Sequence, residues 1–186
     1  MTASNMQICA IDVETTGLRI PTNKASEYDE IVQLAIIAND HTIMFNELFH
    51  PEHMTTWPEA EACNGISFER VKERPFFRDQ CSAIQGILDR FDLMVAYNAE
   101  FDIAFMRHQG LNFTGKRYFC MMRAFSQLRT KRQLPGNALR RYTLTQCAQY
   151  FNIPATHAHD ACSDANTVLS CFEAMCALMD VNVLEV

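Results

Sequence analysis

The chain has 186 residues, 48% of them hydrophobic, and a formal net charge of −6. This size and balance fit one domain over residues 1–186 with a sizeable core, and exclude a disordered or collagen-like chain. No apolar run approaches the roughly 20 residues of a membrane-spanning helix, and the start lacks the basic n-region of a signal peptide, so a cytoplasmic location is expected. The eight cysteines follow no Cys-x-x-Cys spacing and interrupt apolar runs, which fits buried reduced thiols better than a zinc site or a disulfide framework.

In chain order, Met6 to Val13 reads as a short buried strand closed by Thr15-Thr16-Gly17. Glu30 to Ala38 and His41 to Phe49 read as two further strands joined by a turn at Asn39-Asp40, giving an antiparallel three-strand meander. Pro58 to Cys63 is a short helix with proline in its first turn and Asn64-Gly65 as its stop. A longer helix over Arg78 to Phe91, a strand over Asp92 to Tyr97 and a helix over Glu100 to Gln109 follow. Thr143 to Phe151 and Asp160 to Met179 are helical, the second with Ala161, Ala165, Val168, Leu169, Phe172, Met175, Cys176 and Met179 on one face. Strands as an opening meander and then alternating with helices predict an α/β fold with a mixed sheet flanked by helices. The segment Gln133 to Asn137 is expected to be a mobile loop.

Charge is unevenly distributed. Between Asp102 and Asp160 there is no Asp or Glu, yet Arg107, Lys116, Arg117, Arg123, Arg129, Lys131, Arg132, Arg140 and Arg141 lie there, nine of the sixteen basic residues. Such a stretch either solvates a face or meets a polyanion.

Three clusters carry chemistry. Asp12 and Glu14 lie two apart on a strand otherwise built for burial, so period two turns both carboxylates to one side. Side by side they would repel, and a bound divalent cation removes that cost; if instead the strand frays after Ile11, both are merely solvated. Oxygen ligands suit Mg²⁺ or Mn²⁺, and phosphodiester cleavage is a natural chemistry for such ions. Asp102, in Asn98-Ala99-Glu100-Phe101-Asp102, falls in a first helical turn, where an aspartate also complements the helix dipole. In His157 to Ala165, Asp164 lies one turn inside a helix beside Ala161 and Ala165, and His159 stands at its mouth, suited to take a proton from water. Asp160 as an N-cap with a solvated histidine pair is the alternative there.

Together DVETTGL (Asp12 to Leu18), NAEFD (Asn98 to Asp102) and HDACSDA (His159 to Ala165) resemble the three exonuclease motifs of the DEDDh exonucleases, a family that includes polymerase proofreading subunits, exonuclease X, ribonuclease T and oligoribonuclease. The motifs occur in order and span nearly the whole chain. NGI (Asn64 to Ile66) is similar to a segment the family carries between its first two motifs. The resemblance implies a ribonuclease H-like fold, with Asp12, Glu14, Asp102 and Asp164 as ligands of two Mg²⁺ (or Mn²⁺) ions and His159 as general base. Glu14 then serves both the metal site and the activation of water. The tyrosine-based sister group places its base four residues before the last aspartate, where this chain has Asp160, and His157 has the wrong spacing. Thr15, Thr16, Leu18, Asn98 and Phe101 are implied to lie against the terminal nucleotide, with Ile66 nearby. Tyr97 departs from the histidine many relatives carry before Asn-Ala.

The implied activity is 3′→5′ hydrolysis of a DNA end, single-stranded by preference, releasing nucleoside 5′-monophosphates. An RNA 3′ end is the alternative substrate, because no residue announces contact with a 2′-hydroxyl. A non-catalytic subunit that holds nucleic-acid ends, partnered with a polymerase or repair complex, is the alternative of another class. Arg129, Lys131 and Arg132 are expected to touch phosphates upstream of the scissile bond. Oligomeric state is not legible.

Overall fold

A computed structural model describes residues 6–20, 28–129, 140–154 and 159–179. The segments around Lys131, Arg132, Gln133 to Asn137 and His157 lie outside the described residues.

The strands are β1 (Ile8–Thr15), β2 (Ile31–Ala38), β3 (Ile43–Leu48), β4 (Leu93–Ala96) and β5 (Arg117–Cys120). The helices are α1 (Pro58–Asn64), α2 (Phe68–Val71), α3 (Phe77–Leu88), α4 (Ala99–His108), α5 (Met121–Arg129), α6 (Leu144–Tyr150) and α7 (Ala161–Leu178). The sheet order is β3-β2-β1-β4-β5. β1 pairs antiparallel with β2 and parallel with β4, β2 pairs antiparallel with β3, and β4 pairs parallel with β5. The opening meander and the mixed, helix-flanked sheet are therefore as expected.

β1 is the centre of the argument because it alternates cleanly. Cys9, Ile11 and Val13 face the core beneath α3 and α4, with Ile84, Leu88, Ile103 and Phe105. The other face begins with Ile8 against Val168 and Phe172. Ala10 follows, meeting Ala35, Ala161, Ala165 and Leu169. Asp12 and Glu14 continue this second face, and the alanines at its centre let α7 approach the sheet closely. The strand does not fray after Ile11; it runs to Thr15, with a register shift between Glu14 and Thr15.

Of the face expected on α7, Ala161, Ala165, Val168, Leu169, Phe172, Met175 and Cys176 are buried. Met179 is exposed, because it is the C-cap beyond the sheet. Each large apolar side chain in that stripe contributes about 1.5–3 kcal/mol of burial. The helix expected over Arg78 to Phe91 starts at Phe77 and ends at Leu88. Thr143 is the N-cap of α6, its hydroxyl accepting from the Gln146 amide while the Gln146 side chain accepts from the Thr143 amide. β5, α2 and α5 were not anticipated. β5 is four residues long and passes into α5 with no Gly, Pro or Asn between them, so their junction carries no boundary signal.

Candidate active site

The site forms where β1, the start of α4 and the start of α7 meet. α4 begins at Asn98, its N-cap, and places Asp102 in its first turn. Asp102 is buried and accepts a hydrogen bond from the Val13 amide at 3.1 Å, which fastens α4 to β1 between Asp12 and Glu14. Asp160 caps α7, accepting from the Ser163 amide at 3.0 Å. Gln33, opposite Glu14 in the sheet, donates to Asp160 at 3.2 Å and accepts from the Ala161 amide at 3.3 Å. One β2 side chain thus clamps the helix end that carries Asp164. Asp160 is thus the N-cap that one sequence reading expected, and Asp164 stands one turn on, beside the acids of β1.

Ligand atoms of Glu14, His159 and Asp164 lie within 4.8 Å of one another. His159 is exposed and holds a left-handed backbone (φ 67°), and its amide donates to the Asp164 carboxylate at 3.1 Å. A non-glycine residue in that region costs on the order of 1 kcal/mol, borne here where the ring meets two carboxylates.

The acids are poorly satisfied. Burial drives Asp12 well above the usual carboxylate range, and the charges of Asp102, Glu14, Asp164 and Asp160 add to the shift. Burial pushes Glu14 up to about 7, aided by Asp164 and partly offset by the Asn64 side chain. Asp102 is pushed up to about 7 by burial, against the Val13 amide. Asp164 is raised by burial and drawn back by the His159 amide and ring. Four carboxylates gathered where β1, α4 and α7 meet, with one imidazole and few donors among the described residues, form the donor set of a hard divalent cation. The side chains present fit such an ion, and its charge would remove the repulsion that raises these groups.

Beside the acids lies a cleft of about 800 Å³ lined by residues 13–19, Asp29, Met54, Trp57, Pro58, Cys63, Asn64, Phe101 and His159. Leu18 stands 83% exposed on its rim, and the Phe101 ring packs tilted against Phe105 with centroids 4.7 Å apart. Thr15 and Thr16 line the cleft, but their hydroxyls are engaged internally: Thr15 donates to the Gly17 carbonyl at 2.6 Å, and Thr16 accepts from the Glu30 amide at 2.9 Å. Asn98 caps α4 and Ile66 is buried beside Trp57; neither lines this cleft. The Trp57 indole donates to the Ile66 carbonyl at 2.6 Å. Arg129 lies at the last turn of α5, away from the cleft lining.

Sequence reasoning missed the pair that builds the cleft walls. Buried Asp29 accepts from the Arg19 amide at 2.7 Å and from its guanidinium at 3.0 Å. A Cβ on Gly17 would come 2.5 Å from the same carboxylate, so a side chain there would push Asp29 away from Arg19. Buried Glu30 accepts from the amides of Glu52, His53 and Met54 at 2.5, 2.9 and 2.8 Å. Asp29 therefore holds one wall and Glu30 the other. The available signal was two acids abutting a strand buried along its whole length. Asn64, named from the sequence as a helix stop and within NGI, also donates from its side chain to the Thr15 carbonyl at 3.2 Å, a contact the spacing did not reveal.

A family profile described as Exonuclease (RNase_T) matches residues 9–172, which include all three motifs. The chain belongs to the exonuclease family. Among curated relatives, the 3′-5′ exonuclease DinG of Staphylococcus haemolyticus is 26% identical over 170 residues, covering 84% of this chain and 17% of that protein. The chain thus spans about a sixth of that exonuclease's length. Among solved structures, exonuclease X in complex with 5′ overhanging duplex DNA is similar at a TM-score of 0.67 with 21% identity, covering 96% of both chains. E. coli exonuclease I in complex with a dT13 oligonucleotide is similar at 0.67 with 14% identity, covering 94% of this chain and 43% of that one. These likenesses place the sheet and its helices in the exonuclease fold. No described helix is long and apolar enough to cross a membrane.

Proposed function

We propose that this exonuclease-family chain hydrolyses the terminal phosphodiester of DNA in the 3′→5′ direction, on single strands by preference, and releases nucleoside 5′-monophosphates with two Mg²⁺ or Mn²⁺ ions. The observation that carries the reading is the convergence of Glu14, His159 and Asp164 within 4.8 Å beside the buried Asp102 and the strongly raised Asp12, at the end of a cleft with an apolar rim. The names of the similar solved structures, which hold DNA, support DNA over RNA.

Asp12, Glu14, Asp102 and Asp164 would hold the ions. When bound, such cations lower the pKa of water and neutralise charge on the phosphate and the leaving oxygen. The chain's own work is positional. His159, exposed at the mouth of α7, accepts the proton of the attacking water. Its left-handed backbone, pinned through the amide to Asp164, fixes where the ring stands. Leu18 and Phe101 offer apolar surface to the terminal base, and the Asp29 and Glu30 clamps keep the two walls apart.

The test is a time course on a 5′-labelled DNA strand and an RNA strand of the same sequence, with Mg²⁺ or with EDTA. Mononucleotide steps from the 3′ end of DNA, abolished by EDTA, are expected. Faster RNA degradation would move the substrate assignment to RNA. Binding of ends without cleavage would make the chain an end-holding subunit.

A further inference from the structure

Away from the cleft, we infer that Arg129 and Arg140, each seated on a tyrosine ring, form a second surface that grips a single strand upstream of its terminal nucleotides. This rests on the cleft being the 3′-end site.

The Arg129 guanidinium carbon stands 4.8 Å over the Tyr150 ring and that of Arg140 stands 5.2 Å over Tyr142. Both rings pack edge-on against buried Phe125, at 5.4 and 5.3 Å, so the two pairs share one pivot. Both arginines are exposed, and no carboxylate among the described residues pairs with either. Arg123, Arg78 and Lys116 differ in this respect, being paired with Glu100, Glu52 and Asp89. Arg123 and Lys116 lie in the same acid-free run from residue 103 to 159 but reach acids that precede it, whereas Arg129 and Arg140 reach no carboxylate among the described residues.

An arginine on a solvated helix usually samples many rotamers, whereas one stacked on a ring holds its in-plane donors outward in a fixed fork that matches phosphate. Tyr150 remains 41% exposed and leaves aromatic surface beside that fork. Cationic groups interleaved with aromatic faces are how single strands are held without sequence preference. On a chain of net charge −6, an unopposed positive patch is also where a polyanion can approach. The patch is tied to the cleft through one residue. The Tyr97 hydroxyl donates to the Tyr142 carbonyl at 2.6 Å and its carbonyl accepts from Met122 at 2.8 Å, while Tyr97 directly precedes Asn98, the cap of the helix carrying Phe101 and Asp102.

The experiment compares wild type with Arg129→Ala/Arg140→Ala and with Tyr150→Leu, each checked for an unchanged circular-dichroism spectrum. Binding of a fluorescent oligothymidylate is titrated in EDTA over a range of salt. The double variant is expected to bind about tenfold more weakly, with a log-log salt slope shallower by about 1.4, from roughly 0.7 for each lost phosphate contact. Tyr150→Leu should weaken binding with little change in slope. Hydrolysis of p-nitrophenyl thymidine 5′-monophosphate with Mn²⁺, which has no upstream strand, should be unchanged in both. An unaltered affinity and slope in the double variant, or an equal loss on the small substrate, would overturn the surface. Failure of wild type to cleave the small substrate and DNA alike would instead overturn the reading of the cleft, with the binding titration still deciding the patch.

Discussion

Two sets of carboxylates in this molecule have opposite surroundings. Glu30 alone accepts three backbone amides, and Asp29 is wrapped by the amide and guanidinium of Arg19. Among the described residues, Asp12, Glu14, Asp102 and Asp164 share the amides of Val13, His159 and Asp102 itself and the side chain of Asn64, and each is pushed upward by burial. The first set spends its charge on local structure, which then has no charge left for a ligand. The second keeps its charge unspent, and that is what a cation needs. Satisfaction, more than burial or acidity, separates the scaffold from the chemistry.

The sharpest way to break this contrast is to remove an unspent acid. Asp12→Ala or Asp164→Ala should lower turnover by on the order of 10³-fold or more, since a metal ligand supplies several kcal/mol to the transition state. Thermal melting without metal should hold steady or rise, because repulsion is relieved. Full Mg²⁺-dependent turnover in purified Asp12→Ala would refute the assignment.

Next in size is His159→Ala, expected to cost about 10²- to 10⁴-fold in turnover as the loss of a general base, with divalent-cation affinity largely kept. His157→Ala should change little. Equal losses in the two variants would leave the base unassigned.

Removing a spent acid should look different. Glu30→Ala strands three amides, and hydrogen bonds to a charged group are worth about 1.5–3 kcal/mol, so melting should fall by a clear margin. Its effect on hydrolysis should appear mainly as a raised KM, because a cleft wall loosens while the metal ligands stay. A kcat loss matching that of Asp12→Ala, with melting unchanged, would place Glu30 in the chemistry.

The smallest effect is a pH trend. Glu14 and Asp102 titrate near 7 in the fold, above their values in the unfolded chain, so the unfolded state releases these protons first as pH rises. Stability without metal should therefore be highest below pH 4, as far as these groups are concerned, and decline as pH climbs through about 7. Added Mn²⁺ should flatten the decline. A melting temperature that climbs with pH between 5 and 8 in EDTA would contradict the raised values.

Asp12 and Glu14 were legible in the sequence because their signal is local, whereas Asp102 and Asp164 stood out only through the resemblance of their motifs to the DEDDh exonucleases. Period two on β1 put Asp12 and Glu14 on one face, and small residues beside Asp164 marked the close approach of α7. The sheet was equally legible from β1 to β4, where runs of apolar residues end in turns. The spent acids were not legible, because Glu30 binds amides more than twenty residues away and Asp29 ten residues away, across a fold no spacing reveals. Gln33 was hidden for the same reason, reaching α7 from 127 positions upstream. β5 and α5 escaped because they are short and abut without a punctuating residue.

The most direct test is a calorimetric Mn²⁺ titration of wild type, Asp12→Asn and Glu30→Gln, each confirmed to be folded. Wild type and Glu30→Gln are expected to bind with similar affinity, and Asp12→Asn to bind weakly or not at all. Undiminished binding by Asp12→Asn, or a loss confined to Glu30→Gln, would contradict the division between spent and unspent carboxylates.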